Sequence, residues 1–95
     1  MRALVCHEYG SYENLRIDEV PSPAMKPGHV RIGVRAAGVS FAAMLGVQGK
    51  HQNKPKLPYI PGNEVAGVVL EVASDVTDLK VGDRVVGPAS SGGFA

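Results

Sequence analysis

A small, mainly β domain, a barrel or a sandwich, is what this sequence predicts. Three observations carry the prediction. Short apolar runs recur between turns built on glycine and proline, 12 and 7 of the 95 residues. Several of these runs alternate apolar with polar residues, the period of a strand with one face buried. No stretch carries the 3.6-residue period of a long amphipathic helix. The length allows one domain, able to bury roughly 60–70% of its unfolded surface.

Taken in order, "MRALVC" is an apolar run and a first strand, with Cys6 expected as a small buried hydrophobe. "HEYGSYEN" is polar and holds a glycine, so it is a loop. "LRIDEV" alternates; Leu15 and Ile17 are expected on the core side, Arg16 and Asp18 outside. "PSPAMKPGH" has three prolines, which cannot donate to a ladder, and ends in a Pro27-Gly28 turn. "VRIGVRAAGV" alternates more cleanly, with Val30, Ile32 and Val34 on the core face.

"SFAAMLG" changes character. Ser40 can cap, and Phe41 to Leu45 are good helix formers, so one or two helical turns are expected there. "VQGKHQNKPKLPYIPG" is a long connection, of a length that is often functional when ordered. "EVAGVVLEV" is the strongest strand, and "VGDRVVG" turns at Gly82-Asp83 into a last one from Arg84 to Val86. "PASSGGFA" is glycine- and serine-rich, and Phe94-Ala95 has the character of another strand opening, so a truncated domain is expected.

Composition excludes several functions. A net charge of +1 without a basic stripe offers nothing to nucleic acid or to an anionic membrane. One cysteine, Cys6, rules out an internal disulfide framework. No apolar run approaches the ~20 residues of a membrane span, and the start lacks the apolar core of a signal peptide. Cytoplasmic localisation is the expectation, by absence of any address.

Three stretches in this order, "AAGVSFAAML" (36–45), "LPYIPGNEVAGVV" (57–69) and "DLKVGDRVVG" (78–87), resemble the N-terminal part of the medium-chain dehydrogenases/reductases, closest to their zinc-independent quinone oxidoreductase branch. The resemblance extends over nearly the whole chain. It implies a GroES-like, partly open β-barrel over residues 1–95 as a substrate-side domain. It also implies an α/β Rossmann domain in the complete protein, absent from this chain. Hydride would pass from NADPH to a quinone, enone or aldehyde in the cleft between the two, and the complete protein would be a homo-oligomer.

Zinc-dependent members of that superfamily carry a cysteine where this chain has Ser40 and a histidine where it has Asn63. A catalytic zinc needs about three protein ligands, usually thiolate, imidazole or carboxylate. A serine hydroxyl stays protonated near neutral pH and an amide is a poor ligand, so Glu64 alone would remain. No cysteine follows "VGDRVVG", where a four-cysteine lobe would fall. No zinc is therefore expected, catalytic or structural, and His7, His29 and His51 lack metal-ligand spacing.

Without a metal, the pocket-lining candidates are Ser40, Asn63 and Glu64, with Ser40 and Phe41 on the nicotinamide side. Ser40 offers an O–H and Asn63 an N–H₂ as donors; alternatively Ser40 only caps the helix and Asn63 only steadies the Pro61-Gly62 turn. Glu64, expected part-buried, either ties the strand mouth to a backbone N–H or an arginine, or moves a proton. Tyr59 is a lid over substrate or a cover for the core edge. Phe41, Met44 and Leu45 are core or pocket wall. The Lys50, Lys54 and Lys56 loop is a solvated face or an attractor of an anionic cofactor. Ala43 stands where many quinone reductases have an aspartate, so substrate preference does not transfer. No G-x-G-x-x-G turn opens a helix, so weak or no binding of NADPH by these residues alone is expected. Two other functions compete: a stand-alone GroES-like binding module and a zinc-type alcohol dehydrogenase.

Overall fold

The structure, a computed structural model, describes residues 1–52, 54–89 and 92–95. Two small antiparallel sheets carry it. Strand β1 (Arg2–Val5) pairs with β2 (Arg16–Glu19), and β3 (Val30–Ala37), β4 (Glu64–Val72) and β5 (Arg84–Pro88) form a sheet in the order β3-β4-β5. One helix, α1 (Phe41–Gln48), and a 3-10 turn at Tyr12–Asn14 complete the described elements. The sheets do not close into one barrel. The β1 region is tied instead to connecting segments, by Leu4 N–H to the Phe94 carbonyl and by a two-way backbone bridge between Cys6 and Tyr59. The fold is thus mainly β and open. Ser90 and Ser91 of the expected glycine-serine stretch, and Asn53 of the long loop, lie outside the described residues.

The core explains the register. Ala3, Val5 and Cys6 from the first strand, Ala43 and Val47 from α1, and Val65 and Val69 from β4 are buried. Burying one such valine contributes about 1.5–3 kcal/mol relative to leaving it exposed. On β4 the buried residues are Val65, Gly67 and Val69, alternating as a pleated strand requires. The opposite face carries Ala66, Val68 and Leu70, so β4 is apolar on both sides although only one side is covered here.

Strand β2 corrects the expected alternation. Ile17 is 69% exposed, whereas Asp18 is only half-exposed. The register decides this: Asp18 stands opposite buried Ala3, and Ile17 opposite Leu4. The inward aspartate is tolerated because His7 Nε2 pairs with its carboxylate. In β3, Val30, Ile32 and Val34 are half-buried rather than core, because irregularities at Arg31/Ile32 and Val34/Ala36 bend the strand.

Turn chemistry follows the sequence closely. Gly28 and Gly82 adopt φ of 75° and 95°, left-handed conformations that glycine reaches without a Cβ penalty. The Gly28 N–H also donates to Asp75 Oδ1 at 2.9 Å, joining the β2–β3 connection to the β4–β5 connection. Lys80 N–H donates to Asp83 Oδ2 at 3.0 Å, and that bond holds the Asp83 carboxyl below its ordinary range.

Candidate functional site

The site grows from the place where β3 ends and β4 begins. Gly38 N–H donates to the Glu64 carbonyl at 3.1 Å, so the exit of one strand and the entry of the other are neighbours. Two residues beyond Gly38 stands Ser40; one residue before Glu64 stands Asn63. The Asn63 carbonyl accepts from Ala89 N–H at 2.8 Å, which ties this mouth to the end of β5 as well. Antiparallel pairing thus sets the two sequence-predicted polar residues at one end of one ladder.

Ser40 caps α1. Its hydroxyl oxygen accepts from Ala43 N–H at 3.1 Å, satisfying one of the helix's orphan donors. The hydroxyl proton is left over for another acceptor. The helix runs to Gln48, about two turns as expected, and ends at Gly49 with φ of 72°.

Between α1 and residues 55–63 lies a cavity of about 470 Å³, lined by Ala42, Ala43, Gly46, His51, Tyr59 and Asn63 among others. Asn63 is on its wall; Ser40 is not, and meets it only through the hydrogen bond to the lining residue Ala43. The volume suits a small organic ring system.

Two expectations are corrected here. Glu64 is exposed rather than part-buried, because it lies on the uncovered face of β4 opposite Pro88. Its carboxylate folds across Gly38, where any Cβ would collide with it. No backbone N–H or arginine among the described residues bonds that carboxylate. Phe41 is 80% exposed and is neither core nor cavity wall, because the first turn of α1 points it away from the protein. Met44 and Leu45 are half-buried.

Sequence reading missed the hydroxyl of Tyr59. It is buried without a hydrogen-bond partner among the described residues. Burial first, then the neighbouring Cys6 and Tyr9, push its pKa up to about 12 from an ordinary 10.0. Gly46, mid-helix, was the available signal: a Cβ there would stand 3.0 Å from that hydroxyl. Burial also pushes the Cys6 thiol up, and the thiol donates to the Glu8 carbonyl at 3.2 Å, so it is an inert core group. Lys54 lies 4.4 Å above the Tyr9 ring, and Tyr9 donates to the Pro55 carbonyl, which secures the loop bordering the cavity.

The raised Tyr59 pKa has a consequence for stability. The folded chain holds the phenolic proton where the unfolded chain has lost it, so stability is intact below pH 10 and falls as pH rises toward 12. Thermal melts between pH 8 and 12 should show a steeper alkaline decline for the wild type than for Tyr59→Phe. Parallel curves would contradict the assignment.

The family model described as the alcohol dehydrogenase GroES-like domain matches residues 26–93. The chain belongs to this family. The GroES-like domain found here is 41% identical over 92 residues to the quinone oxidoreductase-like protein 2 homolog of Nematostella vectensis, covering 97% of this chain and 25% of that protein. It is 43% identical over 88 residues to the synaptic vesicle membrane protein VAT-1 homolog of Rattus norvegicus, covering 90% and 22%. Its structure superposes on the quinone oxidoreductase of Thermus thermophilus, solved also in complex with NADPH. That match has a TM-score of 0.81 and 32% identity, over all of this chain and 28% of that one. The chain spans about a quarter of the length of the curated relatives it matches. The resemblance to the medium-chain dehydrogenases/reductases and to their quinone oxidoreductases is thereby established for this domain.

The zinc and the nicotinamide cofactor that the superfamily uses fit this domain differently. Ser40 and Asn63 supply neither thiolate nor imidazole, and among the described residues no three His, Cys, Asp or Glu side chains converge to hold a metal. A zinc does not fit. Towards NADPH the domain offers Val39 and Phe41, which flank Ser40 and leave apolar surface exposed at the start of α1. No glycine-rich turn among the described residues leads into a helix, so the pyrophosphate has no cradle here. No described helix is long and apolar enough to cross a membrane.

Proposed function

We propose that these residues form the substrate side of a zinc-independent reductase that moves hydride from NADPH to a quinone, enone or aldehyde. The observation that carries the reading is the tie between Gly38 N–H and the Glu64 carbonyl, which gathers Ser40 and Asn63 at one strand mouth beside the cavity. Both are neutral donors in place of a metal's thiolate and imidazole. Bound NADPH supplies the hydride.

The chain's own residues have two tasks. Orientation of the acceptor carbon by the cavity wall supplies part of the rate, since well-placed reactants can save roughly 7–11 kcal/mol. Donors aimed at the oxygen that gains negative charge add about 3–4 kcal/mol each. The Asn63 amide, on the wall, donates to that oxygen directly. Ser40, held by its cap bond, contributes its remaining proton from the helix start, next to the nicotinamide side with Phe41. Glu64, solvent-exposed, is the entry point for the proton that completes reduction. The functional unit is the homo-oligomeric complete protein, acting on a small molecule in the cytoplasm.

The test is NADPH oxidation, followed at its absorbance, by full-length protein carrying residues 1–95. Turnover with a quinone or an enone, unaffected by a chelator, is the expected result. Activity only with alcohols, or loss on chelation, would move the protein to the zinc-type alcohol dehydrogenases. No turnover with any carbonyl acceptor would favour a binding module.

A further inference from the structure

The cavity beside α1 has a charge pattern for which carbonyl reduction has no use. Between Glu19 and Glu64 the sequence holds no aspartate or glutamate, yet it holds Lys26, Arg31, Arg35, Lys50, Lys54 and Lys56. Lys56 and His51 line the cavity, and no carboxylate among the described residues does. The ion pairs of the described residues leave Lys56 out: Arg31 takes Glu71, Lys80 takes Asp83, His7 takes Asp18 and the terminal amine takes Glu19. Glu64, the first acid after the stretch, lays its carboxylate across Gly38 and is not on the cavity wall. A cleft lined by one sign of charge focuses its field on whatever enters.

The backbone beside Lys56 is held in place. Lys54 and Lys56 flank Pro55, which is also on the wall. Lys54 turns to the Tyr9 ring, and the Tyr9 hydroxyl donates to the Pro55 carbonyl. Tyr9 in turn packs on Gly49 at the end of α1, where a Cβ would stand 2.9 Å from it. Its neighbour Gly10 donates its N–H to the Val47 carbonyl at 2.9 Å. The loop is thus clamped to the helix at Pro55, and Lys56 is left exposed at the cavity wall.

We infer that the cavity takes a small organic acid, a carbonyl compound whose carboxylate pairs with Lys56 while its carbonyl faces Asn63. The place of the carbonyl rests on the proposed reduction; the pairing of the carboxylate does not. A single lysine matches a singly charged group. A phosphate carries nearly two charges and is best met by an arginine fork, and no arginine lines the cavity. The volume of about 470 Å³ admits an acid the size of benzoate. In the reaction the carbonyl carbon gains the hydride of NADPH and its oxygen a proton, and the carboxylate leaves unchanged. Lys56 therefore determines specificity and takes no part in the chemistry.

The test begins with binding of benzoate and of its neutral isostere benzamide to full-length protein carrying residues 1–95, followed by NMR. Benzoate should bind about 3- to 5-fold more tightly, the scale of one solvent-accessible ion pair. Added salt should erode that preference. Lys56→Gln should abolish it and Lys56→Arg should keep it. Lys26→Gln, the same charge change on the β2–β3 connection and off the cavity wall, should leave it intact. In turnover, Lys56→Gln should lose the same factor in kcat/KM for the meta and para formylbenzoates, chiefly through KM, and nothing for their methyl esters. Equal affinity of the wild type for benzoate and benzamide would overturn the proposal. So would an equal loss in Lys26→Gln, which would mark a diffuse charge effect. Displacement of benzoate by NADPH, with weaker NADPH binding in Lys56→Gln, would assign the lysine to the cofactor and overturn it as well. The benzoate preference is read without hydride transfer. A protein that keeps the preference and reduces no aldehyde contradicts the reductase reading alone; one that reduces the esters and shows no preference contradicts this inference alone.

Discussion

Gly67→Ala should cost the fold about 3 kcal/mol or more, a large share of the roughly 5–15 kcal/mol that holds a domain together. Gly67 is at the centre of β4, between Val34 on β3 and Val85 on β5. A Cβ there would run into the Gly33 carbonyl oxygen and stand 2.9 Å from Ile32 Cγ2. Neither is the yielding end of a flexible side chain. The strand cannot retreat, because ladders on both sides hold it. Urea denaturation should show a markedly lowered midpoint at similar slope. Gly87→Ala is the control: it lies one strand away with nothing within 4 Å of a new Cβ, and should change stability by less than about 0.5 kcal/mol. Equal midpoints for the two variants would show that the close β3–β4 approach at Gly33 does not exist.

The second large effect is on turnover. Asn63→Ala should lower kcat about 10²-fold in the complete protein, the scale of losing one donor to a developing oxyanion. The bond from Ala89 uses the Asn63 backbone carbonyl and survives the change. Ser40→Ala differs in kind. It removes both the cap on Ala43 N–H and the spare donor, so about 1 kcal/mol of stability should go with the lost activity. Ser40→Thr keeps a capping hydroxyl and should restore stability and most of the turnover. Full activity in Asn63→Ala and Ser40→Ala together would leave both residues with structural roles alone.

Glu64 gives a third contrast within the same mouth. Its side chain lies across Gly38 on the exposed face, hydrogen-bonded to no backbone N–H or arginine among the described residues. The sequence alone suggests a tied, part-buried carboxylate, because apolar residues follow it for most of β4. What the pattern does not reveal is that β4 has a second, uncovered apolar face. Residues 64, 66, 68 and 70 share that face, so even alternation puts Glu64 outside. A strand apolar on both sides hides its own orientation, since either register buries something.

The same limit explains β2. Leu15 and Ile17 look inward by hydrophobicity, yet the pairing of Asp18 with Ala3 turns Ile17 out, and the His7 contact makes an inward aspartate tolerable. Partners eleven residues apart are not visible in a period-two pattern. In contrast, features set by local chemistry are legible. The Ser40 cap, the Pro27-Gly28 and Gly82 turns, the β4 strand and the buried Cys6 all follow from residue type and neighbours within a few positions. The cavity itself is half-legible. Asn63 is identifiable from its place before β4, whereas the Tyr59 hydroxyl and its Gly46 neighbour meet only through the packing of α1 against the loop that returns to it.

In the proposed reaction a serine and an asparagine stand where metal ligands would have to be, so hydride transfer would proceed through neutral donors. Elemental analysis of active, full-length protein grown with zinc in the medium tests it most directly. The account predicts a zinc content far below one per chain, with NADPH-dependent quinone reduction undiminished. One zinc bound per chain, with activity lost on its removal and regained on its return, would contradict it.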